Sequence, residues 1–481
     1  MQSFRNYIGG ELRAAGSGAA IEVFEPAVGE MYATVADSGR EDLDAAVESA
    51  KRAAPGWANT PSAERAAWLL RIADGIEARL DEFAAAESRD TGKPLTLARS
   101  LDIPRAIANL RFFAGAATQF ASEAHAMESG AINYTLRQPH GVVACISPWN
   151  LPLYLFTWKI APALAAGNCV IGKPSELTPW TAMMLGQLCA QIGLPAGVLN
   201  ILHGRGAGIG EAIIAHPAIR AISFTGGTTT GTRIASVAAP MFKKLSLELG
   251  GKNATLVFAD ADFDAALAGT VRAAFANQGE ICLCGSRLLI ERPLYERLRK
   301  SLVARARALR VGDPLEATTD QGALISSAHR DKVLAAIEAA HRLGGTLHCG
   351  GEPVRGPGRC AGGWFVAPTV IDGLPADCVT HQDEIFGPVV TLQSFDTDEE
   401  AVALANGVRY GLAASLWTRD VDRAHRISAQ LEAGLVWVNC WMLRDLRVPM
   451  GGMKQSGVGR EGGFEAMRFF TEPKNVCVSY R

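Results

Sequence analysis

At 481 residues the chain exceeds what a single hydrophobic core can organise, so at least two large domains are expected. Nearly half of its residues (48%) are apolar and its formal net charge is only −2, with charges spread along the chain. That argues against disorder and against nucleic acid or an acidic membrane as partner. Ten cysteines without regular spacing point to reduced thiols and a cytoplasmic location. Cys282 and Cys284 are too close for a usual zinc hook, and no metal is expected.

The first residues, Met1-Gln2-Ser3-Phe4-Arg5, lead into polar sequence and lack a signal-peptide core. Residues 41–54 and 61–91 carry apolar side chains at three- and four-residue spacing and predict helices. Residues 131–137 alternate like a strand outside any regular series. Residues 141–146 predict a buried strand, 158–166 a helix and 169–172 the next strand. The apolar stretch 151–172 contains Lys159, Pro162, Gly167 and Asn168, so it reads as a buried helix and strand, not a membrane span. A helix over 181–192, strands over 198–202 and 221–224, and a helix over 230–238 follow. This alternation predicts a mostly parallel, doubly wound sheet. A second alternating series runs from about residue 253 to 441. The tail, 475–480, alternates again, and orphan strands of this kind often pair between domains or subunits. No internal repeat or low-complexity linker is present.

Several strand ends carry chemistry. The run Gly204-Arg205-Gly206-Ala207-Gly208-Ile209-Gly210 is glycine-rich, but its third glycine is misplaced for a strict dinucleotide fingerprint. Phe224-Thr225-Gly226-Gly227-Thr228-Thr229-Thr230-Gly231 ends a strand and opens a helix, whose bare N–H groups suit a phosphate. Lys173-Pro174-Ser175-Glu176 could hold ribose hydroxyls. Either of these last two segments alone reads better as an ordinary loop; their joint placement at strand ends of one sheet favours a nucleotide. In Ser147-Pro148-Trp149-Asn150, the Asn150 amide could donate to an oxyanion, or simply form a turn. Cys282 follows Asn277, Gly279 and Glu280, a turn-like setting that favours a reactive thiol over a core residue. Glu248 sits in an apolar run before Gly250-Gly251, which argues for burial and a raised pKa. A thiol that adds to a carbonyl and a carboxylate that activates water form a pair suited to covalent catalysis.

Together these runs resemble the aldehyde dehydrogenase superfamily over essentially the whole chain. The motifs, in the family's order, are Pro148-Trp149-Asn150, Lys173-Pro174-Ser175-Glu176, Phe224-Thr225-Gly226, Glu248-Leu249-Gly250-Gly251-Lys252, residues 277–282, and Glu384-Ile385-Phe386-Gly387-Pro388. The resemblance implies an α/β fold of two doubly wound domains with a small β oligomerisation arm, and a homodimer or homotetramer. The expected divisions are 1–120 with 140–250 for cofactor, 251–450 for catalysis, and 121–139 with 463–481 for the arm. It makes Cys282 the nucleophile, Glu248 the general base, and Asn150 with the Cys282 N–H the oxyanion hole. Lys159 matches a buried lysine in a proton path. Lys173 and Glu176 would hold the adenosine ribose and Glu384 the nicotinamide ribose, with Phe386 by the nicotinamide ring. Ile146, Trp149, Gly206, Phe224, Gly226, Gly227, Gly231 and Leu249 complete the expected cofactor site. A carboxylate at Glu176 favours NAD, while Arg205 leaves NADP open. Two departures stand out. Gly227 occupies a position often held by Ser. Glu280 replaces the usual Gln and is expected to point away from the thiol.

A closer resemblance is to the muconate-semialdehyde dehydrogenases. It is carried by Asp102-Ile103-Pro104-Arg105, Ile132-Asn133-Tyr134, Asn150-Leu151-Pro152-Leu153, residues 277–284, and Arg444-Asp445-Leu446-Arg447. It implies oxidation of 2-aminomuconate 6-semialdehyde, with the 2-hydroxy analogue or another aliphatic, aromatic or amino aldehyde as alternatives. A protein that kept the fold and lost activity is a more distant alternative. Such a substrate carries a carboxylate far from its aldehyde. The resemblance places Arg105 and Arg444 there, where guanidinium groups would pair with it; otherwise both would serve structural salt bridges.

Overall fold

The strands expected in the first half form one sheet: β1 (Val142–Ile146), β2 (Cys169–Lys173), β3 (Leu199–Ile201), β4 (Ala221–Thr225) and β5 (Lys244–Glu248). They are seen in a computed structural model that describes residues 2–480. The order is Gly457–Val458, β5, β4, β1, β2, β3, Asn6–Ile8, Glu11–Arg13. β1 to β5 run parallel. The winding reverses at β1, with β2 and β3 on one side and β4 and β5 on the other. Every residue of β1, β2 and β4 is buried, because helices cover both faces of a parallel sheet.

The predicted helices are present with altered bounds. Residues 61–91 form two helices, Ser62–Glu77 and Leu80–Thr91, because Arg79 leaves the helical conformation (φ −121°, ψ 26°). Both bury apolar stripes, so the periodicity runs through the break unmarked. The helix expected at 158–166 starts earlier, at Pro152, where proline fits a first turn that needs no N–H. All 14 of its residues are buried, Lys159 included. The helix Ile103–Gln119 and the strands of residues 2–36 are not among the elements that periodicity predicts.

The second series forms a sheet from β6 (Ala254–Val257), β7 (Arg287–Glu291), β8 (Thr369–Asp372), β9 (Val389–Phe395), β10 (Ala413–Trp417) and β11 (Leu435–Val438). Its order is Thr346–Cys349, β8, β9, β7, β6, β10, β11, parallel throughout β8 to β11. The link from β5 to β6 is short, so the C-terminal edge of the first sheet leads directly into the N-terminal edge of the second.

The two orphan strands pair with each other. Ala131–Pro139 runs antiparallel to Thr471–Ser479 over nine residue pairs and also pairs with Ala124–Met127. Residues 463–470 do not extend this arm. The helix Gly463–Phe469 places Ala466 and Met467, and the following Phe470, in the core around the first sheet.

Gly457 pairs with Glu248 across the edge of β5 at φ +141°, and a Cβ there would lie 1.9 Å from the Leu247 carbonyl oxygen. Gly457→Ala should therefore push this strand off β5, destabilise the fold by roughly 1–3 kcal/mol or more, and lower the thermal midpoint followed by circular dichroism.

Candidate active site

Register places the predicted motifs side by side. Ile146 pairs with Lys173 and with Phe224, and Thr225 pairs with Glu248. Parallel strands thus deliver the segments after β1, β2, β4 and β5 to one edge, at the point where the winding reverses. Open sheets bind ligands at such a point. A cleft of about 350 Å³ there is lined by Ile146, Trp149, Lys173, Glu176, Gly206 and Gly227, among others. It shares Trp149, Gly226 and Gly227 with a pocket of about 250 Å³ that is lined by Asn150, Leu249, Cys282, Glu384 and Phe386.

The donor set of the cleft fits a dinucleotide. The helix Thr228–Ala238 starts after Gly227, with no side-chain cap on its first N–H groups. At Gly226 a Cβ would lie 2.4 Å from the Phe224 ring, which would have to move to admit it; at Gly227 a Cβ would meet nothing within 4 Å. Gly231 lies behind the wall against Leu249. Lys173 Nζ donates to Glu176 Oε2 at 3.1 Å, and Glu176 Oε1 accepts from the Gly206 N–H at 3.2 Å. Arg205 is paired with Asp37.

The thiol stands on a strained loop. Asn277, Gln278 and Gly279 all have left-handed backbone (φ 51°, 55° and 73°), and a Cβ on Gly279 would lie 2.1 Å from the Gly387 carbonyl oxygen. Surrounding groups hold it in place. Asn253 Nδ2 donates to the carbonyls of Cys282 and Cys284 at 2.7 and 2.9 Å. Asn150 Nδ2 donates to the Glu280 carbonyl at 2.8 Å. Glu280 is buried, and its Oε1 faces the Ile325 N–H at 3.2 Å and His329 Nε2 at 3.6 Å. Burial pushes its pKa well above the ordinary carboxylate range.

Glu248 ends β5 with only 3% of its surface exposed, and neither carboxylate oxygen has a hydrogen-bond partner among the described residues. Burial and then Glu461 raise its pKa, against the pull of Lys159, Arg460 and Arg444. Gly451 makes room for it, since a Cβ there would lie 2.7 Å from Glu248 Oε1. Gly250 likewise leaves space for Glu384, whose Oε1 accepts from the Gly251 N–H at 3.0 Å and whose pKa burial raises to about 7. Phe386, itself left-handed (φ 61°), meets Trp149 edge to face with ring centres 5.3 Å apart.

Five expected site residues line neither cavity: Glu248 and Gly231, described above, and Lys159, Arg105 and Arg444. Lys159 Nζ donates to Glu461 Oε1 at 2.6 Å and to Ser223 Oγ at 3.1 Å. Arg105 and Arg444 flank Tyr154: Arg444 Nη1 donates to its hydroxyl at 2.8 Å, and the Arg105 guanidinium lies 5.9 Å from its ring centre. Neither arginine forms a salt bridge among the described residues, and Arg444 Nη2 also donates to Met450 Sδ at 2.7 Å. His329, Lys332 and Glu461 escaped the sequence reading because no motif surrounds them. Asn253 stood in a quoted run, where an amide inside apolar sequence was its one signal.

This site and fold match known proteins. A model described as "Aldehyde dehydrogenase family" matches residues 13–476, and the chain belongs to that family of aldehyde-oxidising enzymes. Among relatives, 2-aminomuconic semialdehyde dehydrogenase of Danio rerio is 49% identical, covering 99% of this chain and 98% of its own. 2-Hydroxymuconic semialdehyde dehydrogenase of Pseudomonas sp. (strain CF600) is 48% identical, covering 99% and 100%. A crystal structure of PnpE in complex with nicotinamide adenine dinucleotide superposes with a TM-score of 0.97 at 41% identity, covering 100% of this chain and 98% of that one.

Burial, then Glu384 and Glu248, push the Cys282 thiol up to about 12, with Arg444 opposing. Only the thiolate alkylates. In cofactor-free enzyme, iodoacetamide labelling of Cys282 should therefore be slow at pH 7 and rise about tenfold per pH unit through pH 9.5, as read by peptide mass spectrometry.

Proposed function

We propose that this enzyme oxidises 2-aminomuconate 6-semialdehyde to the dicarboxylic acid with NAD, the 2-hydroxy analogue being the second reading. The observation that carries the chemistry is the Cys282 thiol in a pocket continuous with the dinucleotide cleft, close enough to buried Glu248 to feel its charge. The substrate reading rests on the semialdehyde relatives at 45–49% identity and on two arginines, without a salt bridge among the described residues, around Tyr154.

The Cys282 thiolate adds to the aldehyde carbon. The Asn150 amide and the Cys282 N–H receive the resulting oxyanion, for which one such donor is worth roughly 3 kcal/mol. Bound NAD supplies the hydride acceptor. Lys173 and Glu176 would hold its adenosine ribose and the start of the helix Thr228–Ala238 its phosphates, with Gly206 and Ile146 beside them. Glu384 would hold the nicotinamide ribose, and Trp149, Leu249 and Phe386 would bound the ring. Sγ then carries the acyl group as a thioester. Glu248 takes a proton from water, the hydroxide adds to the thioester carbonyl, and the acid leaves as the thiolate reforms. Only ionised Glu248 can act so, and its raised pKa means that this step gains rate as pH rises. Lys159 and Glu461, near enough to Glu248 to shift it, would carry its proton away.

Glu176 at the cleft and Arg205 held by Asp37 support NAD over NADP. The arm sheet exposes Ile132, Leu136 and Val478, which suits a homodimer or homotetramer. Ten free cysteines suit a reducing cytoplasm. The chain would divide functionally into the cofactor part (1–120 with 140–250), the catalytic part (251–450) and the arm (121–139 with the strand Thr471–Ser479), residues 463–470 packing on the cofactor part.

Cys282→Ser should abolish turnover with the fold intact, and Glu248→Ala should give one burst of NADH and then stall as the thioester, visible as added mass on Cys282. Steady turnover of Glu248→Ala would remove it as the base. Arg105→Ala and Arg444→Ala should each raise KM for the carboxylated semialdehyde about 10- to 100-fold, but that for a neutral aldehyde about twofold or less. Equal losses on the two substrates would remove the arginine clamp.

A further inference from the structure

A buried charge cluster that the mechanism above leaves unused touches Asn150. Lys93, Asp102 and Glu87 are each wholly inaccessible to solvent. Gly92 ends the helix Leu80–Thr91 in a left-handed turn, and a Cβ there would lie 2.9 Å from the Ala323 carbonyl oxygen. That turn carries Lys93 into the interior. Its Nζ donates to Asp102 Oδ2 and, at 2.8 Å, to the backbone carbonyl of Asn150. Glu87 Oε2 accepts from the Leu153 N–H at 3.4 Å, so the cluster grips the segment 150–153 at two points. Burial pushes Glu87 up to about 8 and raises Asp102 as well, against the pull of Lys93, and it is Asp102 that Lys93 contacts directly.

Burying an ion pair is often no better for stability than an apolar pair of similar size. What an apolar side chain could not do here is donate to the Asn150 carbonyl. Asn277 Nδ2, at 3.4 Å, is the one other donor there among the described residues. On the side-chain end of the same residue, one amide N–H already goes to the Glu280 carbonyl, two residues before the thiol. Asn150 is therefore fixed from both ends, by Lys93 through its backbone and by the cysteine loop through its amide.

We propose that Lys93, held by Asp102, is a positioning residue that aims the Asn150 amide at the oxyanion. This rests on the reading of Asn150 as the oxyanion donor. Lys93→Met alone strands a buried carboxylate and endangers folding. The folding-safe variant is Lys93→Met/Asp102→Asn, with its fold checked by circular dichroism and by NAD affinity at the distant ribose end of the cleft.

The experiment is a cycle on the single-turnover rate of NADH formation. Asn150→Ala should slow the burst about 100-fold or more. The Lys93→Met/Asp102→Asn pair should slow it about tenfold with NAD affinity unchanged. Adding the pair to Asn150→Ala should cost less than about twofold more, because the residue it aims is gone. A normal burst in the folded pair variant, or losses that multiply in the combination, overturns the positioning role alone. A normal burst in Asn150→Ala overturns the oxyanion reading itself.

Discussion

The site depends on holding a strained loop still. Three consecutive left-handed residues, Asn277 to Gly279, bring Cys282 out of the second sheet and towards the edge of the first. Such backbone persists only where its surroundings over-determine it. Asn253 does most of this. Its amide grips the carbonyls on both sides of Leu283, its oxygen accepts from the Ala413 N–H at 3.0 Å, and its carbonyl accepts from the Arg287 N–H. One residue thus ties the thiol loop to the starts of β6, β7 and β10, through its side chain and its own carbonyl. Glycine at 279 is required because nothing larger passes the Gly387 carbonyl.

Around this loop the protein buries several charges, and their partners bear on the site's electrostatics. Lys159 and Glu461 form a pair inside an otherwise apolar helix layer, and Lys93 and Asp102 form another beside Asn150. Arg287, buried at the start of β7, donates to the carbonyls of Lys252, Leu404 and Ala405. Unlike these paired groups, the carboxylate of Glu248 has no hydrogen-bond partner on either oxygen among the described residues. A buried carboxylate without donors holds its proton more tightly and becomes a stronger base once ionised, which is the property that water activation needs. The cysteine is subject to the same burial, so the resting site keeps its thiol largely protonated.

Much of this was readable from local pattern. β1, β2 and β4 are continuous apolar runs because both faces of a parallel sheet are covered, and their ends carry the small and polar residues that a ligand edge needs. The glycines at 226, 250 and 279 are each explained by a close approach that only tertiary structure reveals, yet each stood in a motif that was visible. Less was readable where an element's signal is shared with its neighbour. The break at Arg79 is hidden by continuous periodicity, and the helix from Pro152 was obscured because proline reads first as a turn.

By itself the sequence determined the class of fold, the presence of a thiol at Cys282 and a carboxylate at Glu248 in distinctive runs, and the order of the strand-end motifs, because alternating periodicity and residue type are local properties. Tertiary structure alone decided which distant groups meet. Strand order placed β1 between β2 and β4, so that four loops share one edge. Packing brought Glu461 to Lys159, His329 to Glu280, and Lys93 to Asn150, pairs separated by 302, 49 and 57 residues. Hydrogen bonds across such spans depend on how helices and sheets stack, and no spacing along the chain encodes that.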